Sequence, residues 1–427
     1  MKKILLAILL LFFLTNKSHA LSLNEAINIF YKKNNQLKSE KMKLKETKAS
    51  TAGTVLSVLP DIRYGKTISQ NSVLTLTNNS LVDLGARNLE KETFSISGDL
   101  SVARLIGAPA KSISILDAQK ILFRINEQNL LLNAIETYLS VIRDEEILKT
   151  ANENVMILEK YANLVKRRFD FGEVTKTDVE QSKARLSDAK STKIQAEGRL
   201  KVSKANFIQI FRIESKSLFF PKEFPIIPST FEEFEKLTKK NNLNLKYSDL
   251  NRTISKEDLV ITTSAVLPFF SYSRTKVEND DNLLFQNIRK QEATEFSVTV
   301  PLVPRGGGEY GRVIQSKYAV NRAIYDYKNA KYELDSKITA TWEDLQTTNA
   351  NMISTRDTLA FNKSALESVK KEAQYGSRTT LDVLNAELEY FNANVNLIRM
   401  QHADLLSYYK ILAIMGSLDK NVFINKK

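Results

Sequence analysis

The chain has 427 residues, a formal charge of +13, no cysteine and two histidines. Without cysteine it has no disulfide, no thiol-anchored lipid and no cysteine-based zinc site, and its length suits two or three ordinary domains. Its lysines are interleaved with acids through helical stretches, which reads as solvated helix surface rather than a nucleic-acid footprint.

Residues 1–20 read as an export signal. Lys2-Lys3 gives the positive start, Ile4 to Leu14 the apolar stretch, and Ser18-His19-Ala20 a small-x-small cleavage site. Cleavage there removes Lys2, Lys3 and Lys17 and no acid, leaving a charge of about +10. No later stretch approaches about eighteen uninterrupted apolar residues, so no membrane-crossing helix is predicted.

A helical pattern runs from Leu23 to about Thr51, followed by two short segments of strict alternation. Ile62, Tyr64 and Ile68 alternate with polar neighbours, and Phe94, Ile96, Gly98, Leu100 and Val102 alternate with Thr93, Ser95, Ser97, Asp99 and Ser101. Period two predicts strands at about 61–70 and 93–103, each with one apolar and one wet face. A polar linker, 71–92, lies between them. From Lys111 to Phe171 there is neither Gly nor Pro, which predicts a helix of about 90 Å at about 1.5 Å per residue. A Gly-containing tip near 172–178 turns the chain back into a second helix, Thr177 to about Phe211.

The same order then repeats. A helix is predicted from Thr230 to about Ser255, strands at about 268–276 and 293–303 around a polar linker at 277–292, and a second long hairpin with its tip near 376–382. The repetition is also literal. Phe171-Gly172-Glu173-Val174-Thr175-Lys176-Thr177-Asp178-Val179 returns as Tyr375-Gly376-Ser377-Arg378-Thr379-Thr380-Leu381-Asp382-Val383, offset by 204. Lys32-Lys33-Asn34-Asn35 returns as Lys239-Lys240-Asn241-Asn242, and Leu59-Pro60 as Leu267-Pro268. The chain therefore divides into a signal (1–20), a first repeat (21–220), a second repeat (221–420) and a short tail (421–427). Arg305-Gly306-Gly307-Gly308 lacks the Lys-Ser/Thr of a phosphate loop and reads as a bend from strand to helix, matched by Gly107-Ala108-Pro109. In the last helix Leu381, Leu384, Leu388, Phe391, Val395, Ile398, His402, Leu405, Tyr409 and Leu412 form a three-four spaced seam suited to packing along another helix. The matching seam of the first repeat is weaker, with Ala184, Ser187 and Ile194.

Four strands of membrane-crossing length pose a physical problem. Only a closed barrel satisfies the backbone in lipid, and the smallest such barrels have about eight strands. The strands therefore form a small sheet in water, or several chains pool them. Three chains pool about twelve strands, and their paired helices form a tube projecting from the barrel. In that arrangement Phe94, Ile96, Leu100, Phe296, Val298 and Val300 face lipid.

The paired Gly-x-x-Thr-x-x-Asp-Val tips, the Lys-Asn-Asn helix opening each repeat, the Leu-Pro lead-in to each strand pair and the closing Ile414-Met415-Gly416-Ser417-Leu418 resemble the TolC-type outer-membrane efflux proteins. The resemblance covers residues 21–420. It implies a homotrimer in the outer membrane of a Gram-negative bacterium, with a twelve-stranded β-barrel continued by a periplasmic α-helical barrel. It further implies a periplasmic adaptor protein and an inner-membrane transporter of RND, ABC or MFS type as partners. The family's constriction maps onto Asp382 and, where the family has a second acid, Asn385. Its tip contacts map onto Arg378 with Asp178 and Thr177, and the family's aromatic place is Ala373, with Tyr375 nearer the turn. Adaptor docking is expected at Gly172, Glu173, Val174, Thr175 and Lys176 and at Gly376, Ser377, Arg378 and Thr379. Read from the residues alone, Gly172 and Gly376 end one helix, the threonines cap the next, and Asp178 and Asp382 are first-turn acids facing a helix dipole.

Three function classes compete. An exit duct for efflux or secretion uses both strands and helices. A structural periplasmic coiled-coil protein, such as an adaptor, needs no amphipathic strand pairs. An exported enzyme lacks a convergent site: His402 is the one histidine beyond the signal, and no cofactor, metal or nucleic acid is implied.

Overall fold

The computed structural model describes residues 21–77, 80–215, 217–221, 223–280 and 290–424, with the side chains of 71–77, 80–89, 279 and 280 outside that description. The elements in chain order are α1 Leu23–Lys33, α2 Asn35–Leu56, β1 Asp61–Thr77, β2 Ser80–Leu100, α3 Ala108–Asp170, α4 Lys176–Phe211, α5 Phe231–Asn241, α6 Leu243–Ser264, β3 Phe269–Asp280, β4 Lys290–Thr299, α7 Gly308–Gln374, α8 Thr380–Ile414 and α9 Asn421–Ile424. The chain is mainly helical with one four-stranded sheet, as expected. It forms two compact units: Met1–Lys41, Phe123–Leu243 and Tyr332–Lys427 make the first, Met42–Leu122 and Asn244–Lys331 the second. Each repeat contributes to both.

Within the second unit the sheet runs β1-β2-β3-β4, antiparallel throughout. The strands differ in extent from the sequence expectation. β1 and β2 pair on through the polar stretch 71–92 as far as Thr77 opposite Ser80, because main-chain hydrogen bonds hold a ladder whatever the side chains. Residues 281–289 of the second linker lie outside the described residues. At the other end β2 stops at Leu100, short of 103, because Ser101 accepts a hydrogen bond from the Arg104 amide (3.2 Å) and starts a helical turn. β4 stops at Thr299, so Val300 lies just past the strand and not within it. Pro301 follows, with no N–H for a ladder.

The opening helix of each repeat is broken where the sequence predicted continuity. Asn34 separates α1 from α2: its Oδ1 accepts from the Leu37 amide (2.9 Å) and its Nδ2 donates to the Ile210 carbonyl at the end of α4 (3.1 Å). Asn242 separates α5 from α6 and donates to the Ile414 carbonyl at the end of α8 (2.9 Å). The repeated Lys-Asn-Asn motif thus marks a helix break whose amide ties down the last helix of its own repeat. The structural match, Asn34 with Asn242, is one residue off the literal one.

The core of the first unit gathers Leu23, Ile27 and Phe30 of α1, Leu131, Ile135 and Tyr138 of α3, Phe207 and Phe211 of α4, and Leu405 and Tyr409 of α8. Phe207 stacks on Phe211 at 4.4 Å, and Phe30 meets Phe211 edge-on. Each such ring buried contributes about 1.5–3 kcal/mol over leaving it in water. Phe234 stacking on Trp342 (5.4 Å) repeats Phe30 and Tyr138 at the same offset as the tips. The tail is not free, since Phe423 is buried and stacks on Tyr409 at 5.8 Å.

The α8 seam is buried at Leu384, Phe391, Val395, His402, Leu405, Tyr409 and Leu412, but Leu381 and Leu388 are exposed. The first-repeat seam is not the one expected. Ile194 is 66% exposed, Ala184 and Ser187 also face outward, and the buried positions are Val179, Ser182, Ala189, Ala196, Ser203, Phe207 and Phe211. Small residues seven apart let α4 approach α3 and α8 closely, so side-chain size misleads there.

His402 lies buried beside Ser140 and a small cavity lined in part by Leu139, Ile142, Phe219 and Ile398. Burial, with Arg143 nearby, pushes its pKa down to about 4, against a bond with Glu136 and the charge of Asp144. The folded state therefore binds this proton less readily than the unfolded chain, and stability is lost as pH falls from about 6.5 towards 4. The His402 part of that loss is predicted to reach about 2–3 kcal/mol per chain. Melting curves of wild type and His402→Gln between those pH values check it: the variant's melting temperature is expected to fall less on acidification, and parallel slopes contradict the assignment.

Candidate functional site

Both tips are built by the same local chemistry. α3 ends with Gly172 at φ 77°, its N–H bonded to the Phe169 carbonyl (2.9 Å) and the Glu173 N–H to the Arg168 carbonyl (2.9 Å). α7 ends likewise, with Gly376 at φ 78° bonded to Ala373 (3.3 Å) and Ser377 to Glu372 (3.1 Å). This pair of bonds closes a helix through a left-handed residue, a conformation that glycine adopts without cost. The next helix begins with a reciprocal cap. Thr175 accepts from the Asp178 amide (3.2 Å) while the Thr175 amide donates to the Asp178 carboxylate (2.9 Å), and Thr379 and Asp382 repeat both distances. The spacing Gly-x-x-Thr-x-x-Asp is thus a stop signal followed by a start signal.

These caps set the charge of both acids. Hydrogen bonds from the Thr175 side chain and backbone hold Asp178 below the usual carboxylate range, helped by Thr380. The Thr379 backbone and side chain do the same for Asp382. Each tip also carries an ion pair, with the order of charges reversed: Arg168 Nε to Glu173 (2.9 Å) in the first, Arg378 Nε to Glu372 (2.7 Å) in the second. Within this chain Arg378 is therefore held inside its own tip rather than against Asp178 or Thr177.

What joins the two hairpins is a set of contacts that sequence reasoning missed. Arg185 Nη2 on α4 donates to Asn385 Oδ1 on α8 (3.0 Å). Thr380, first residue of α8, reaches both Asp178 and the half-buried Tyr161 of α3. Within the second hairpin, buried Glu387 on α8 pairs with Lys370 on α7. Leu384 packs with Val155, Leu158 and Ala189 beneath them. Val174, Lys176, Thr177 and Ser377 lie at the tips, and Gly172, Glu173, Gly376 and Tyr375 are exposed there.

On the sheet, cross-strand partners share a face. Leu100, Phe270 and Val298 form one row, followed by Gly98, Tyr272 and Phe296; then Ile62, Ile96, Arg274 and Thr294; then Tyr64, Phe94, Lys276 and Glu292. Phe296 is 81% exposed, and Phe94, Leu100, Val298 and Val300 are exposed as well, whereas Ile96 is half-buried. The opposite face carries Ser95, Ser97, Ser271, Ser273, Thr275 and Ser297. The apolar band moves along the strands as the sheet is crossed, from Ile62 and Tyr64 on β1 to Phe270 and Tyr272 on β3 and Phe296 and Val298 on β4. Strands inclined to a lipid layer produce that drift. Among the described residues no group of three or more His, Cys, Asp or Glu could hold a metal ion, and no helix is long and apolar enough to cross a membrane.

No model of a known protein family matches the chain. It is 25% identical over 308 residues to the outer membrane efflux protein BepC of Brucella suis, covering 70% of this chain and 66% of that protein. It is 24% identical over 303 residues to the outer membrane protein TolC of Vibrio cholerae, covering 69% of each. The chain thus spans about two thirds of the length of these relatives. In fold it is similar to the outer membrane channel CmeC of Campylobacter jejuni, with a TM-score of 0.80 at 17% identity over 93% of this chain and 87% of that one. In sequence the chain is thus similar to TolC-type outer membrane efflux proteins, and in fold to an outer membrane channel.

Proposed function

We propose that the chain forms a homotrimeric outer-membrane channel, the exit duct of a tripartite efflux or type I secretion system. The observation that carries this reading is the sheet. β1 and β4 each lack a neighbour on one side among the described residues, one face is apolar and open, and the other is lined with small hydroxyl residues. In water such a face is a liability; in lipid, with three sheets closed into one barrel, every edge is paired and the hydroxyl face lines an aqueous lumen. A coiled-coil adaptor has no use for this sheet.

The tips are the proposed docking and opening end. Their turns are short, exposed and fixed by the caps, and the grooves between helices suit a helical hairpin from a periplasmic adaptor. An RND, ABC or MFS transporter is the inner-membrane partner of the assembly. Asp382 and Asn385 line the constriction. For Arg378 to clasp Asp178 or Thr177 of a neighbouring hairpin it has to leave Glu372. Its contribution to closure is then the small difference between two solvent-screened contacts.

Two measurements follow. Purified protein in planar bilayers is expected to give discrete channels, and Val298→Arg to weaken insertion by about 2–4 kcal/mol if it lies near mid-bilayer. Absence of channels, or normal assembly of both Val298→Arg and Ile96→Arg, contradicts the barrel assignment. The double variant Thr380→Val/Asn385→Leu, which breaks the contacts between α4 and α8, is expected to raise resting conductance more than Arg378→Ser. The reverse order returns the latch to Arg378.

A further inference from the structure

We infer that Arg185 is a selectivity-determining residue of the duct, a positive charge at its inner mouth that offsets the carboxylate of Asp382. The inference rests on the reading above that Asp382 and Asn385 line the constriction. Its new element is the residue that meets Asn385. Arg185 Nη2 donates to Asn385 Oδ1 at 3.0 Å, and the position that the family resemblance gives to a second acid is here an amide. An amide accepts the hydrogen bond and leaves the guanidinium charge uncancelled, and arginine stays protonated at any physiological pH.

Two nearby acids, Glu387 and Glu159, are engaged by lysines. Arg185 borders a hollow shared with Asn154, Asp188, Thr192 and Glu387. Glu387 is buried against Lys370, and Glu159 pairs with Lys190 at 3.0 Å. Asp188 sits one turn further along α4. No carboxylate among the described residues lies within ion-pairing distance of Arg185. Asp382 is held by Thr379, which keeps it ionised and in place. In a threefold assembly the mouth carries as many Arg185 guanidinium groups as Asp382 carboxylates. Opposite charges in equal number around a narrow, water-filled ring cancel much of the field that acids alone would focus there. The mouth then admits anionic and neutral cargo without the barrier raised by a purely acidic ring, and it holds polyvalent cations weakly.

Arg185→Gln tests this while keeping a donor for Asn385. Reversal potentials are measured in planar bilayers across a KCl gradient, together with block by hexamminecobalt added on the tip side. Arg185→Gln is expected to raise the K+/Cl− permeability ratio by about twofold or more and to tighten block, while Arg185→Lys keeps wild-type values. Asp382→Asn is expected to shift the ratio the opposite way. If Asp382→Asn shifts it and Arg185→Gln does not, the inference is wrong although the constriction is correctly placed. If the channels conduct and neither variant shifts it, the constriction itself lies elsewhere and the inference falls with it. If Arg185→Gln fails to assemble as a trimer, the residue is structural and the inference is overturned.

Discussion

A peptide group in hydrocarbon has no water to bond to, and among its described residues this chain has four strands with two open edges and one exposed apolar face. Everything distinctive about the molecule answers that constraint. The sheet is too small to close alone, and under the proposed function it closes with copies of itself. The drift of the apolar band from β1 to β4 gives the strands the inclination that closure requires. The serine- and threonine-rich opposite face then becomes the wall of a lumen instead of a second exposed surface.

The helical part solves a different problem with the same economy of means. One unit, used twice, supplies two hairpins whose tips are fixed by glycine stops and threonine-aspartate starts. Because these caps are satisfied within each tip, the tips hold their shape whether or not the hairpins touch. The polar contacts between hairpins are few and partly exposed: an arginine on an amide, and a threonine between an aspartate and a tyrosine. Rigid tips joined by weak links suit a part that is pulled open by partners and closes again.

Local signals were legible in the sequence. Gly172, Thr175 and Asp178 act within seven residues of one another, so their spacing alone identifies the turn. Strand alternation at Phe94 to Leu100 and Phe296 to Val298 showed the faces. Strand ends were less readable, because ladder pairing past residue 70 depends on the backbone rather than on side-chain pattern. Asn34 and Asn242 were visible as a repeat, but their role as breaks was not, since their partners Ile210 and Ile414 lie more than 170 residues away. The α4 seam was misread because its close packing uses Ala189, Ala196 and Ser203, which size-based reasoning passes over. Arg185 and Asn385 are 200 residues apart, and only folding brings them together.

The central claim is that the strands of three chains share one barrel. The mass of the protein extracted in mild detergent, with the bound detergent subtracted, counts the chains directly. Three chains per particle, falling to one only when the strand region loses its β signal, is the predicted result. A stable single-chain particle that retains a fully protected strand region would contradict the account.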